Sequence, residues 1–259
     1  MASALKRTLR WVRARARARL SPGDLTALAT VFRTDKWNAH WYIRHYERYF
    51  RPLRFKRLNI LEIGVGGYAD PRVGGHSLRM WKAYFPKSQI YGIDCYDKRA
   101  LEEPRIRVFQ GRQEDPDFFR RVATAIGRLD IVIDDGSHAN AHVITAFETL
   151  FLLLADDGIY VVEDTQTSYW PGFGGRSDEV NDPQTTMGYF KRLVDGLNHA
   201  ELLQPGYQPS YFDQHITAIH FYHNLIFILK GDNTEGSTVL HHNATDAAWV
   251  LTDSQSYER

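Results

Sequence analysis

Ile131-Val132-Ile133-Asp134-Asp135-Gly136-Ser137-His138 and Tyr160-Val161-Val162-Glu163-Asp164 are the two stretches that decide how this chain folds. Residues 131–133 and 159–162 are short, apolar and rich in β-branched side chains, the pattern of strands buried on both faces of a parallel sheet. Both runs end in paired acids, and open α/β sheets bind ligands just beyond the carboxyl ends of their strands. If the two strands are neighbours, their carboxylates converge on one spot. Bare carboxylates repel one another, so such a cluster needs a cation or a shared proton. The pattern points to a divalent metal with His138 as a base beside it.

Outward from these strands the chain alternates. Residues 59–63 read as a first strand followed by a glycine-rich turn, and residues 77–85 as a helix with Leu78, Trp81 and Phe85 on one face, ended by Pro86. Strands follow at 89–93, closed by Asp94, and at 106–110. A helix at 118–126 after Asp115-Pro116, the strand at 131–133, a helix at 141–154 and the strand at 159–162 complete the series. Strands separated by helices imply an α/β fold, a Rossmann-like doubly wound and mostly parallel sheet. Residues 215–222 and 225–229 flank His223-Asn224 at hairpin spacing, so the C-terminal end of the sheet should carry an antiparallel hairpin strand. Upstream, Asp24 can cap a helix over 25–32, Thr34-Asp35-Lys36 interrupts it, and 41–49 reads as an aromatic-rich helix before Pro52. Asp156-Asp157-Gly158 precedes the fifth strand, belongs to the opposite edge of the sheet and reads as a turn. The expected organisation is a basic extension (1–22), a helical segment (23–56), the main domain (57–232) and a polar tail (233–259).

Composition narrows the class. Hydrophobic content of 43% and charged content of 24% are ordinary for a globular chain of 259 residues. A net charge of +1 gives no reason to expect a nucleic-acid partner. The single cysteine, Cys95, excludes an internal disulfide and fits a cytoplasmic location. No apolar run is long enough to span a bilayer, and the N-terminus lacks the apolar core of a signal peptide. It carries Lys6, Arg7, Arg10, Arg13, Arg15, Arg17 and Arg19 instead. A membrane contact through these residues is one reading; a solvated terminal helix is the favoured one. The sequence leaves a homo-oligomer open.

The loop Glu62-Ile63-Gly64-Val65-Gly66-Gly67 follows a strand and lets the backbone approach a ligand closely. Gly64, Gly66 and Ala69 formally satisfy the dinucleotide fingerprint, which keeps an NAD-dependent oxidoreductase as an alternative. Two features favour S-adenosylmethionine. Glu62 stands where a carboxylate can hold the amino-acid end of that cofactor, and Asp70-Pro71-Arg72 lengthens the loop before the helix at Ser77. Asp94 can accept the ribose hydroxyls of either cofactor, and Gln113, in the run after the third strand, can frame an adenine.

Together, Glu62–Gly67, Ser77-Leu-Arg-Met-Trp-Lys-Ala-Tyr-Phe-Pro86, Tyr91-Gly-Ile-Asp94, Ile133-Asp-Asp-Gly-Ser-His138 and Val162-Glu-Asp164 resemble the class I sugar O-methyltransferases of the macrocin and mycinamicin type. Thr34-Asp35-Lys36 and the stretch 40–49 share the likeness, which covers roughly residues 30–230. The resemblance implies S-adenosylmethionine and Mg2+ as cofactors and a sugar or glycoside acceptor, such as an oligosaccharide or glycosylated natural product. It implies Asp135, Glu163 and Asp164 as metal-binding acids and His138 as the base. It places Glu62, Gly64, Gly66, Gly67, Ser77, Asp94, Gln113 and Asp134 around the cofactor, Asp134 either facing it or capping the strand end. It also makes the fourth and fifth strands neighbours.

A sugar hydroxyl is a poor nucleophile at neutral pH, and a hard cation held by oxygen ligands lowers its pKa while neutral imidazole takes the proton. His138, three residues after Asp135, stands close enough for that role, and His142, one turn later, reads as a supporting or surface residue. The aromatic, glycine-containing segment 165–186, with Tyr169, Trp170, Phe173, Gly174 and Gly175, reads either as a lid over the acceptor or as a loop packed on the core. Tyr207, Tyr211 and His215 are candidates to line the same cleft. A methyltransferase for a non-sugar molecule and a non-catalytic interaction protein are the remaining alternatives.

Overall fold

The computed structural model describes residues 12–13, 15–18, 20–238 and 240–244. Most of the basic extension and the end of the polar tail lie outside them. Seven strands form one sheet, β1 (Asn59–Ile63), β2 (Gln89–Asp94), β3 (Ile106–Gln110), β4 (Leu129–Asp134), β5 (Leu154–Glu163), β6 (Ile216–Tyr222) and β7 (Leu225–Lys230), in the order β3-β2-β1-β4-β5-β7-β6. β1 to β5 are parallel, and β7 runs antiparallel to both β5 and β6. Asn224, in the left-handed region at φ 59°, makes the tight β6–β7 turn. The strand order reverses between β1 and β4, and that switch point is where a doubly wound sheet opens a crevice for a ligand.

The helices are α1 (Leu25–Phe32), α2 (Ile43–Phe50), α3 (His76–Tyr84), α4 (Pro116–Ile126), α5 (Asn140–Leu153), α6 (Thr186–Gly196) and the single turn α7 (Tyr211–His215). Asp24 caps α1 by accepting from the Ala27 amide at 2.8 Å, and Asp115 caps α4 by accepting from Phe118 at 3.0 Å. The alternation of side chains along each strand sorts the core into two layers. Ile60, Ile131, Ile133, Val161 and Phe227 face α1, α2 and α3, where Leu25, Tyr46, Phe50, Leu78 and Trp81 meet them. Leu61, Val132, Tyr160, Val162 and Ile228 face α4, α5 and α6, packed on Phe119, Phe147, Leu150 and Phe190.

Two expectations change. β5 begins at Leu154, five residues earlier than the apolar run suggests, so Asp156-Asp157-Gly158 is strand rather than turn. The pairing with β4 jumps from Leu129↔Leu154 to Ile131↔Ile159, so these residues form an irregularity inside a strand that is regular on either side. They do lie at the opposite edge of the sheet, where Arg128 pairs with Asp157. Beyond β7 the described part of the tail is anchored: Asn243 donates to the carbonyls of His199 and Leu202 at 2.8 and 2.9 Å. Among the described residues no helix is long and apolar enough to cross a membrane.

Candidate active site

A cavity of about 620 Å³ opens at the switch point, of the size that takes a nucleoside-bearing cofactor. Its walls include Gly64, Gly66, Gly67, Ser77, Asp94, Gln113, Asp135, His138 and Asp164. Gly64 has φ +95°, and a Cβ there would come within 2.0 Å of the Asp135 carbonyl oxygen, so only glycine lets β1 leave the sheet so close to β4. A Cβ on Gly66 would meet no atom within 4 Å, so this part of the loop has free space above it. Asp94 closes β2 by accepting from the Val65 amide at 3.1 Å and the Tyr96 amide at 2.9 Å, which fixes its carboxylate against the glycine loop.

The paired acids separate because neighbours on a strand face opposite ways. Asp134 turns into the α4/α5 layer and is buried. Gln113 Nε2 donates to its two oxygens at 2.8 and 3.0 Å, and the Ser137 amide donates to Gln113 Oε1 at 2.8 Å. Burial pushes the Asp134 carboxyl up to about 7. Asp134 does not line the cavity; it stands at the end of β4 and accepts from Gln113, which does. Asp135, Glu62 and Glu163 all face the other layer and converge there.

Lys36 stands in the middle of that convergence. Its Nζ lies 2.8 Å from Asp135 Oδ2, 2.7 Å from Glu163 Oε1 and 3.1 Å from Glu62 Oε1, and the side chain is fully buried. Tyr46 also donates to Glu163 Oε1, and Trp81 Nε1 donates to Glu62 Oε2 at 2.9 Å. Burial disfavours the charged lysine, but the carboxylates outweigh it and hold its pKa well above the ordinary value. Burial pushes Glu62 up to about 7 against the pull of Lys36, and burial followed by the charge of Asp135 raises Glu163. Three acids facing one ammonium leave a negative surplus that protons or a further cation must offset. The Glu62 carboxylate belongs to this buried cage, with Lys36 Nζ and Trp81 Nε1 as its partners.

At the rim, Asp135, His138 and Asp164 each offer a ligand atom, all within 4.8 Å of one another. His138, in the loop that follows β4, and Asp164, immediately after β5, both adopt the left-handed conformation, at φ 56° and 54°. For non-glycine residues this costs on the order of 1 kcal/mol or more each, and it turns both side chains back over the strand ends. His138 Nε2 lies 3.6 Å from Asp164 Oδ2. Tyr42 donates to Asp164 Oδ1 at 2.6 Å, and His40, stacked on Tyr42, stands 3.6 Å from the same oxygen. Burial and the bond to Asp164 push the Tyr42 phenol far up, so it remains a donor. The oxygen-rich set at this rim suits a hard divalent cation. Glu163, expected as a third acid ligand, is next to this group and shares Lys36 Nζ, at 2.7 Å, with Asp135.

The sequence reading gave no role to Lys36, Tyr42, Tyr46 and His40, although the segment containing them entered the family likeness. Ser137 Oγ and His142 Nδ1 lie 2.9 Å apart, which makes His142 a supporting residue. Asn140 ties the 165–186 segment down by donating to the Thr167 and Phe173 carbonyls at 3.2 and 2.9 Å, while Trp170 stays half exposed. Tyr207, Tyr211 and His215 do not reach this cleft. Tyr211 sits under Lys230 at the far end of β7, against the start of β5, which is the opposite edge of the sheet.

A doubly wound sheet with this glycine loop, strand-end acids and histidine defines a class I methyltransferase scaffold. No family model matches the chain. The mycinamicin VI 2''-O-methyltransferase of Micromonospora griseorubida is 49% identical over 215 residues, 82% of this chain and 54% of that protein. The demethylmacrocin O-methyltransferase of Streptomyces fradiae matches to the same extent, again at 49% identity. A solved structure of the mycinamicin-pathway methyltransferase MycE, in complex with Mg and SAH, superposes with a TM-score of 0.80 at 49% identity, covering 82% of this chain and 56% of that one. Over the matched span the chain is a relative of the macrocin- and mycinamicin-type sugar O-methyltransferases and shares their fold. It spans about half the length of the curated relatives it matches.

Proposed function

We propose that this chain transfers a methyl group from S-adenosylmethionine to a sugar hydroxyl of a glycoside, oligosaccharide or glycosylated natural product, with Mg2+ as a second cofactor. The carrying observation is the convergence of Asp135, His138 and Asp164 at the mouth of a cofactor-sized cavity at the sheet's switch point. The relatives support the reading, being named as O-methyltransferases of mycinamicin VI, demethylmacrocin and a rhamnosyl tetracenomycin.

The glycine loop, Ser77, Asp94 and Gln113 bind and orient the methyl donor. Asp135 and Asp164 would hold the metal, with Glu163 joined to Asp135 through Lys36. Bound there, Mg2+ would supply the charge that lowers the pKa of an alcohol. His138 Nε2 takes the hydroxyl proton, and the imidazolium so formed faces Asp164, whose negative charge stabilises it. Tyr42 fixes Asp164 so that this charge does not wander. Alignment of acceptor and donor in one cavity supplies much of the rate. The 165–186 segment, with half-exposed Trp170 on a tethered base, contributes aromatic surface to the acceptor side. The cytoplasm, where the methyl donor is made, is the expected location.

The test is a mass-shift screen: purified protein, S-adenosylmethionine, Mg2+ and a panel of mono-, oligo- and macrolide glycosides. A gain of one methyl on a sugar that EDTA abolishes and Mg2+ restores is the expected result. Full activity in EDTA removes the metal; NAD-linked turnover in place of methylation removes the reading.

A further inference from the structure

Lys36 is a fully buried cation to which the proposed reaction assigns no direct step. It comes from the segment that follows α1, where Arg33 turns the chain at φ 60° and Thr34 Oγ1 accepts from the Lys36 amide at 3.2 Å. Thr34 and Asp35 line the cavity, whereas Lys36 does not and is fully buried. There one Nζ reaches the tips of three adjacent strands: Glu62 on β1, Asp135 just past β4 and Glu163 at the end of β5. Of these three acids only Asp135 also belongs to the cavity wall and to the candidate metal group.

We propose that Lys36 is a positioning residue: an internal cation that holds Asp135 through Oδ2 and sets the negative charge that the metal-binding acids present. The inference rests on the metal reading of the preceding section. Its logic is electrostatic. A cation at Asp135 and Asp164 interacts with every charge in the cage a few ångströms below, in a medium that screens poorly. The ammonium weakens its binding, and each buried carboxylate strengthens it. The lysine therefore keeps the pocket from over-binding a divalent ion while fixing one of its ligands.

Two substitutions then act in opposite directions, which loss of packing does not produce. Isothermal titration of the purified full chain with MgCl2 alone, at fixed pH and ionic strength, reads both. Lys36→Met should tighten Mg2+ binding roughly tenfold or more, because the divalent ion takes over the missing charge. Methyl transfer should fall at the same time, because Asp135 loses its anchor. With the titration run well above pH 7, where Glu62 is ionised, Glu62→Gln keeps the shape and the Trp81 contact but removes one negative charge, and should weaken Mg2+ binding by a similar factor. Lys36→Arg, which keeps the charge, should bind Mg2+ within about threefold of wild type. Equal affinity in Lys36→Met and wild type, or a shift of the same sign in Lys36→Met and Glu62→Gln, overturns the proposal. If Lys36→Met does not fold, an unchanged affinity in Glu62→Gln overturns it alone. Absence of any Mg2+ binding by the wild type defeats the metal reading itself, a result distinct from equal binding by all variants.

Discussion

The chain contains Asp-Asp-Gly twice, at 134–136 and at 156–158, and the two copies lie at opposite edges of one sheet. At the carboxyl edge, Asp134 is buried on Gln113 and Asp135 is pinned to a buried lysine, and the chain leaves β4 through strained backbone at His138. At the amino edge, Asp156 and Asp157 lie in an irregular part of β5, and Asp157 meets only the exposed guanidinium of Arg128. The tripeptide is the same and the chemistry is not. What differs is the end of the strand that each copy occupies, which decides whether an acid projects over the crevice or into solvent, and the presence of a buried counter-charge.

That contrast is broken most directly at His138. His138→Ala should lower the rate of methyl transfer by about 10²- to 10⁴-fold, the usual worth of a positioned general base. Affinity for S-adenosylmethionine should stay within about twofold, as read by calorimetry. Normal turnover by this variant would remove the base assignment and with it much of what separates the two edges. The next effect is on the metal. Asp164→Asn retains an oxygen for the Tyr42 hydroxyl but removes a charge, and should raise the Mg2+ concentration needed for half-maximal activity by about tenfold or more. An unchanged Mg2+ dependence means that Asp164 is not a ligand.

Asp134 sharpens the comparison through stability rather than rate. Its carboxyl is held near 7 in the folded protein, by burial first, against 3.8 in an unconstrained chain. Between those values the folded state keeps a proton that the unfolded state releases, so the stabilisation is complete below about pH 4 and is lost as pH rises through 7. The shift corresponds to at most about 4 kcal/mol. Asp134→Asn should flatten the decline of the urea midpoint between pH 4 and 7, even though it costs a hydrogen bond to Gln113. Glu62, also raised to about 7, contributes a decline of the same sign, so the difference between variant and wild type carries the information. Parallel pH profiles for the two proteins would mean that Asp134 titrates as in an unfolded chain.

The strands at the centre of the sheet are legible in the sequence because a strand buried on both faces carries a run of apolar residues through its middle. Ile131–Val132–Ile133 and Tyr160–Val161–Val162 announce themselves for that reason, and acids directly after them mark the crevice. The facing of Asp134 and Asp135 follows from alternation alone, but which face carries the site depends on what packs over it. Lys36 is the clearest case of information absent from local pattern. Two of its three acidic partners, Asp135 and Glu163, lie 99 and 127 residues away, and nothing in Thr34-Asp35-Lys36-Trp37 distinguishes a lysine at the heart of the protein from one in solvent. The partners of Glu62 are hidden for the same reason, since Trp81 and the Lys36 counter-ion reach it only in the tertiary fold. The early start of β5 was hidden because Leu154 pairs with Leu129 across an irregularity that interrupts the strand's periodicity.

The smallest expected effect tests the comparison from its quiet side. Asp157→Ala removes the counter-ion of Arg128 at a position where both groups are well exposed. Exposed pairs of this kind contribute less than about 1 kcal/mol, because water screens the attraction and ordering two side chains costs entropy. Arg128 retains Asp130, a buried acid whose other oxygen accepts from the Asn59 amide at 2.8 Å, so the guanidinium is not stranded. The variant should melt within a few degrees of wild type, as read by calorimetry, and should methylate at the wild-type rate. A large loss of activity would mean that the amino edge communicates with the crevice along β5, and edge position would then no longer separate the two Asp-Asp-Gly copies.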